Sequence, residues 1–414
     1  MKLKGSITLI KFLLPLFLLF SCSHYINYIE KKQELELVKT KQAPLWCKST
    51  PKINIIHDDL NTLEEVNKIL PSYDIPITDL GILLSLYQTI VRPDATDWNS
   101  RIQLHYKMGK EEFHMDFGPQ YKLPFFNALL SLEKKGGTKF TLNYWRRYLN
   151  SRLPKRIKLQ KKLNEFISLN EAELLGLKSI NKRFFRLNKP LQPNETFYRP
   201  SILFPKRPQY SQPQPYSYAI EKEEENFQCS FDSGLYQKGI FLISHNKDSE
   251  NSFGVIKDNG DYFYAVTKKI YKGFKDSNRQ SLFPGLTAQS LNPYCTFKTD
   301  LGSVLLLSYN SRDSGQLLYH LYNYGVKEAK SPQDLHSFIS YPRHQFLLRP
   351  GRLLYESERG NKGQLRYFLS LDFPVYHVKN LGTILGLWSE KKQTTFISDP
   401  RVKTNQSCLL PKKP

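Results

Sequence analysis

The stretch 101–118, RIQLHYKMGKEEFHMDFG, decides how the chain around it folds. Ile102, Leu104 and Tyr106 alternate with polar residues, as do Phe113, Met115 and Phe117, which is the period of two of a strand with one buried face. Placing Gly109 and Lys110 in a two-residue turn sets Tyr106 opposite Phe113, Leu104 opposite Met115 and Ile102 opposite Phe117 on one face. The other face then pairs Lys107 with Glu112 and His105 with His114. Because both faces sort in one register, the segment predicts a β-hairpin.

Outward from the hairpin the period becomes helical. Asn61 with Glu64 forms a capping pair for a short helix through Leu63, Val66, Ile69 and Leu70, stopped by Pro71. Thr78 opens a stronger one, with Leu80, Leu83, Leu84, Tyr87, Ile90 and Val91 on its stripe and Pro93 at its end. Two more helices are expected between Tyr144 and Lys189. The first carries Leu149, Leu153 and Ile157 on towards Leu163, Phe166 and Ile167, with Pro154 as a kink or break; Asn170 with Glu173 opens the second. Residues 46–189 therefore read as a basic, mainly helical domain with one hairpin.

Prolines recur from Pro190 to Pro215, so 190–218 reads as a linker or a surface strap. Residues 219–410 hold short apolar runs between Gly, Asn, Asp and Ser, at 239–244, 261–267, 304–308, 316–322, 345–348, 365–371 and 383–388, with 358–363 as a hairpin tip. These predict a predominantly antiparallel β-domain. The fold class is α+β: a mainly helical N-terminal domain with a β-hairpin, then a β-rich C-terminal domain. Within the latter, 229–233 followed by 241–246 is similar to 295–299 followed by 305–310. Either the β-domain contains two related halves, with Cys229 and Cys295 equivalent, or two strand pairs are alike by chance.

The N-terminus is an export signal in three parts: Lys2, Lys4 and Lys11, an apolar run from Phe12 to Phe20 that is too short to span a bilayer, and small Ser21. Leu19, Phe20, Ser21 and Cys22 in order resemble the lipobox of bacterial lipoproteins. The resemblance covers the signal region alone. It implies removal of residues 1–21, diacylglycerol on the Cys22 sulfur and an acyl group on its freed amine. With Ser23 rather than an acid following, it also implies an outer-membrane anchor on the periplasmic side. Several acyl chains, at roughly 0.8 kcal/mol per buried CH₂, hold such a chain stably. The polar, charged segment 22–45 is then a lipidated tether. The other reading of these residues is an ordinary cleaved signal that releases a soluble protein.

Removing residues 1–21 takes away three lysines and no acids, so the net charge falls from +22 to +19. From Arg146 to Lys189 thirteen Lys or Arg stand against three Glu, so more than half of the surplus is local. An exported chain rarely meets nucleic acid, so the expected partners are anionic lipid, lipopolysaccharide, a cell-wall polymer or an envelope protein. The polyanion-binding candidates are Arg146, Arg147, Arg152, Lys155, Arg156, Lys158, Lys161 and Lys162, interleaved with Tyr144, Trp145 and Tyr148. The same pattern fits helices that bury their aromatics and solvate their lysines.

Cys47, Cys229, Cys295 and Cys408 are too widely spaced for a zinc ribbon or a dithiol redox motif. In an oxidising compartment an even number favours two disulfides, in any of three pairings; buried thiols are the alternative. No nucleophile elbow, phosphate loop, zinc-protease or cofactor motif occurs, and no catalytic residue is assigned. His105, His114 and Asp116 share a hairpin face that offers metal ligands or is simply solvated. With no further ligand to complete the set, no metal or cofactor is assigned. His57-Asp58-Asp59 reads as helix-entry chemistry. The leading expectation is a non-enzymatic envelope lipoprotein binding an anionic envelope component or a partner protein. An envelope hydrolase would show instead as a pocket of converging His, Asp or Glu between the domains. An accessory component of a secretion or surface assembly would show as an apolar patch or an open sheet edge.

Overall fold

The computed structural model describes residues 46–49, 53–57, 60–205, 227–230, 248–278, 281–288, 293–309, 311, 314–348, 351–360, 362–371, 374–390 and 392–401. In chain order they form β1 (Trp46–Ser49), β2 (Ile53–His57), α1 (Leu60–Ile69), α2 (Ile77–Val91), β3 (Arg101–Met108), β4 (Glu111–Phe117), α3 (Pro124–Lys135), α4 (Leu142–Arg152), β5 (Arg156–Lys158), α5 (Lys161–Leu169), α6 (Glu171–Leu175), α7 (Lys178–Phe184), β6 (Phe185–Arg186), β7 (Lys189–Pro190) and β8 (Thr196–Tyr198). There follow β9 (Phe227–Ser230), β10 (Asp248–Lys257), β11 (Tyr262–Ile270), β12 (Leu286–Thr287), β13 (Tyr294–Lys298), β14 (Gly302–Tyr309), α8 (Ser314–Asn323) and α9 (Pro332–Ser340). The last elements are β15 (His344–Leu348), β16 (Gly351–Tyr355), α10 (Lys362–Leu369), β17 (Val375–His377), β18 (Thr383–Glu390) and β19 (Gln393–Ile397). The chain is α+β, as its periodicities predict, and falls into two units: one is Ala43–Tyr341 with Gly382–Pro414, the other includes Pro342–Leu381.

The larger unit has four layers. Its first sheet runs β1-β2-β10-β11-β3-β4, with β12 beside β11. Its second runs β19-β18-β14-β13-β9. Period-two alternation glues the layers together. On β11, Phe263 and Ala265 join the core under the helices, while Tyr262, Tyr264 and Val266 turn the other way to meet Leu305, Leu307, Leu385, Leu387 and Phe396 of the second sheet. Helices α1, α2 and α3 cover the outside of the first sheet, and α8 and α9 cover the second.

The predicted hairpin forms in the expected register, with Ile102 opposite Phe117, Leu104 opposite Met115 and Tyr106 opposite Phe113. Its polar face is not solvated, however. Gln103, His105 and Lys107 are buried, because the second sheet lies over them: Lys107 Nζ donates to the Glu390 carbonyl at 3.1 Å, and Ser303 donates to the Glu112 carboxylate.

Helix α2 is buried almost all round, since α4 covers what would otherwise be its outer side. Gly81 lets it lie directly on β11, where a Cβ would stand 2.4 Å from the Phe263 ring. Asp79 ties it to α4 by accepting from the Lys139 amide at 2.6 Å and from Trp145 Nε1 at 2.7 Å.

Four expectations change. The 190–218 segment does not divide two cores: β11 pairs with β3 across it, and Phe166 and Phe184 pack on Phe283. Within it, Leu191, Phe197 and Ile202 are themselves buried. The apolar run 316–322 and most of 365–371, as far as Leu369, are helical, because Leu317, Leu318 and Leu321 bury one helical face, and Leu365 and Phe368, three apart, do the same. Of the expected hairpin tip 358–363, Lys362 and Gly363 are the first residues of α10, and residue 361 lies outside the described residues. Pro154 breaks the helix from Tyr144, one of the two outcomes expected of it, but Ile157, expected on the helical stripe, lies on β5 instead. The 239–244 run lies outside the described residues.

In the smaller unit β15 and β16 are antiparallel, and α10 crosses over to put β17 parallel to β16. Leu353, Tyr355 and Phe368 form its core. Buried Glu356 accepts from the backbone amides of Arg343 at 3.1 Å and Leu381 at 2.8 Å, the two points where the chain enters and leaves. No helix among the described residues is long and apolar enough to cross a membrane.

Candidate functional site

The basic segment is built around buried apolar anchors. Thr141 caps α4 by accepting from the Tyr144 amide, and α4 buries Leu142, Trp145 and Leu149. After Pro154, β5 pairs with β8 so that Ile157 lies opposite Phe197 and Arg156 opposite Tyr198. Ile157 and Phe197 are buried. The strand period therefore puts Arg156, Lys158, Thr196 and Tyr198 on the outer face, all exposed.

The Arg156 guanidinium stands 4.4 Å from the Tyr198 ring centroid and donates to its hydroxyl at 3.0 Å. Behind this pair, Arg183 donates to the Tyr198 carbonyl. Arg199 donates to the carbonyls of Asn150 and Leu153 at 2.8 and 3.0 Å. Burial draws the pKa of both supporting arginines down.

Of the eight predicted residues, Arg156 and Lys158 share the ribbon face, and Arg152 and Lys155 are exposed on the chain leading into it. Arg152 lies over the Tyr148 ring and Arg147 is exposed. The others are turned to local tasks. Arg146 donates to Asn143 and packs on Phe204, Lys161 faces Glu165 at 4.0 Å, and Lys162 is half-buried. Tyr198 escaped the sequence reading because a three-residue strand inside a proline-rich segment carries no period, and Arg183 because only the packing of α7 against that strand places it behind Tyr198.

A second polar assembly lies inside the larger unit, where α2 ends against the start of β10. Arg92 donates to Asp94 through Nε at 3.0 Å and Nη2 at 2.8 Å, and to the Glu250 carbonyl at 3.0 Å. Asn251 donates to Gln88 at 2.9 Å, and Gln88 meets His57 Nε2 at 3.1 Å. The Thr96 and Thr267 hydroxyls share a hydrogen bond of 2.8 Å, and Ser249 donates to Asp94. Burial opposes the Asp94 charge, but Arg92 and Ser249 outweigh it and hold its carboxyl below the usual range.

Lys269 Nζ donates to Asp97 at 2.7 Å, and Asp97 with Ser281, Thr89 and Ile202 lines a cavity of about 40 Å³. At roughly 10–15 Å³ each, that is room for a few waters. His57 is the buried end of β2, and α1 opens at Leu60 as the helix-entry reading of 57–59 expects; Asp58 and Asp59 lie outside the described residues.

The two hairpin histidines touch, Nδ1 to Nδ1 at 3.0 Å, with Tyr294 across the sheet interface, its ring centroid 4.8 Å from that of His105. Burial pushes His105 well below its ordinary pKa, with the neighbouring His114 adding to the effect, and pushes His114 down to about 4. Asp116 is taken up by Arg101, at 3.0 and 2.7 Å. No group of three His, Cys, Asp or Glu among the described residues could hold a metal.

Cys229 and Cys295 face each other in register on β9 and β13 and form a disulfide. Cys47 stands on β1, with its side chain, like Cys22 and Cys408, outside the described residues.

The layers and their polar interior define a four-layer α/β/β/α protein. No family model and no curated protein matches the chain. Among solved structures it is similar to LmbA2991T421A, with a TM-score of 0.55 at 9% identity over 87% of this chain and 98% of that one. LmbA2991HD aligns with a TM-score of 0.50 at 8% identity, over 86% and 98%. These likenesses show a shared fold. Cephalosporin acylase from Bacillus halodurans aligns at 0.44 and 8% identity, over 84% and 93%, too distant to carry further weight.

Proposed function

We propose that the chain is a non-enzymatic envelope lipoprotein, anchored through Cys22, that binds an anionic envelope component with the outer face of the β5–β8 ribbon. The observation that carries this is Arg156 laid on the exposed ring of Tyr198, with Lys158 on the same face and no acidic residue in either strand. A guanidinium held in one orientation matches a phosphate or carboxylate with two parallel hydrogen bonds. Each cation near an anionic surface contributes about 1 kcal/mol. Ile157 and Phe197 root the ribbon in the core, so its outer charges are not required by the fold.

The test uses the full chain carrying Cys22→Ala, which lacks the thiol that would receive lipid. Binding is measured to phosphatidylglycerol vesicles and to purified lipopolysaccharide. At least one should be bound in a salt-sensitive way, and Arg156→Glu with Lys158→Glu should weaken that binding at least tenfold. Undiminished binding by the double variant overturns the reading.

A further inference from the structure

The short hairpin β6–β7 carries a side chain that the fold does not account for. Its two turn residues, Leu187 and Asn188, both have left-handed backbones, with φ of 49° and 59°, as a two-residue turn of the primed kind requires. Asparagine tolerates that conformation and leucine does not, because its Cβ crowds the following carbonyl. Leu187 is also 92% exposed, while Phe185 just before the turn and Leu191 just after it are buried. The hairpin is therefore rooted in the core and holds one apolar side chain out in water.

The residues closing the turn are equally unfavourable on internal grounds. Arg186 stands directly opposite Lys189, and like charges in facing positions repel. Both are exposed, as is Lys182 in the last turn of α7; Glu195 meets Arg186 at 3.3 Å and offsets part of the repulsion. An apolar tip with a collar of cations is mismatched to water and matched to one environment, the interface of an anionic bilayer. There the leucine reaches the acyl boundary and the cations meet headgroup phosphates. A soluble polyanion would satisfy the cations and leave the leucine exposed.

We infer that the β6–β7 tip inserts Leu187 into an anionic membrane surface, with Arg186 and Lys189 on the headgroups. This deepens the proposed function by naming lipid as the anionic partner, and rests on it for the location of the protein, but it uses different residues.

Leu187→Trp, in the full chain with Cys22→Ala, tests it. The same chain also carries Trp46→Phe; the remaining tryptophans, Trp98, Trp145 and Trp388, are all buried, so the added emission reports on the tip. With phosphatidylglycerol vesicles containing dibrominated acyl chains, that emission should shift to the blue and be quenched; with phosphatidylcholine vesicles it should stay unchanged. Leu187→Glu should weaken vesicle binding fivefold or more, and Leu187→Gly should do likewise while melting no lower than the parent. Vesicle-bound chain whose Leu187→Trp emission is unchanged overturns the insertion and leaves the ribbon standing. Quenching that persists when Arg156→Glu and Lys158→Glu bind undiminished overturns the ribbon and keeps the insertion.

Discussion

Arg92 and Arg156 sit in the same unit and make opposite use of a guanidinium. Arg92 is 2% exposed and donates to Asp94, Asn251 and the Glu250 backbone. Arg156 is exposed on a three-residue strand and meets only the ring and hydroxyl of Tyr198 among the contacts described above. A charge removed from water must be matched atom for atom or it destabilises the fold, whereas one left in water contributes little to stability and remains available to a partner. The same residue type is thus a rivet in one place and a probe in the other, and neighbouring acids decide which.

The comparison breaks most forcefully at Asp94. Asp94→Ala strands a buried guanidinium and should cost about 3–5 kcal/mol in urea unfolding. Replacing the pair together, Arg92→Met with Asp94→Leu, should cost less than Asp94→Ala alone; a larger loss from the double variant would show that the pair does more than neutralise itself.

The hairpin histidines sharpen the comparison with pH. Burial pushes the His114 pKa in the folded chain down to about 4, from the ordinary histidine value near 6.5. The unfolded chain therefore takes up this proton first as pH falls, and stability present above about 6.5 is lost progressively towards 4. The share of His114 is about 3 kcal/mol by linkage, and His105 adds in the same direction. His114→Phe should flatten the decline in thermal melting between pH 7 and 4.

The smallest expected effect is at the ribbon: Arg156→Ala should change unfolding stability by no more than about 1 kcal/mol, the strength of an exposed cation on a ring. A larger loss would mean that the ribbon depends on Arg156 for its structure.

Much of this architecture could be read from local pattern. The 101–118 register is legible because alternation, turn and facing pairs all agree, and α1 and α2 are legible from their apolar stripes and the prolines that stop them. Their starts are not where the caps were expected: Asn61 lies inside α1, and α2 is capped at Pro76 with Thr78 inside it. Two runs in the later half were misread because aromatic and leucine-rich segments of seven residues suit either element, and only the spacing of Leu317, Leu318 and Leu321 distinguishes them. The sharing of one sheet by β3 and β11, more than 150 residues apart in sequence, has no local signature at all.

The charge of the candidate site was visible as composition, but its focus was not. Tyr198 reaches Arg156 only through strand pairing, and Arg92 finds Asn251 only through a helix packed on a sheet. The hairpin polar face was read as open to solvent for the same reason, since a covering layer supplied by another part of the chain leaves no trace in the covered strand.

The smaller unit has a consequence for engineering. Glu356 holds the Arg343 and Leu381 amides on one carboxylate, so the chain departs and returns through a single doorway. Closely spaced ends are what an inserted module needs to be accommodated without disturbing its host. A fluorescent or affinity module with adjoining termini could therefore be exchanged for residues 342–381, giving a reporter without touching either end of the chain.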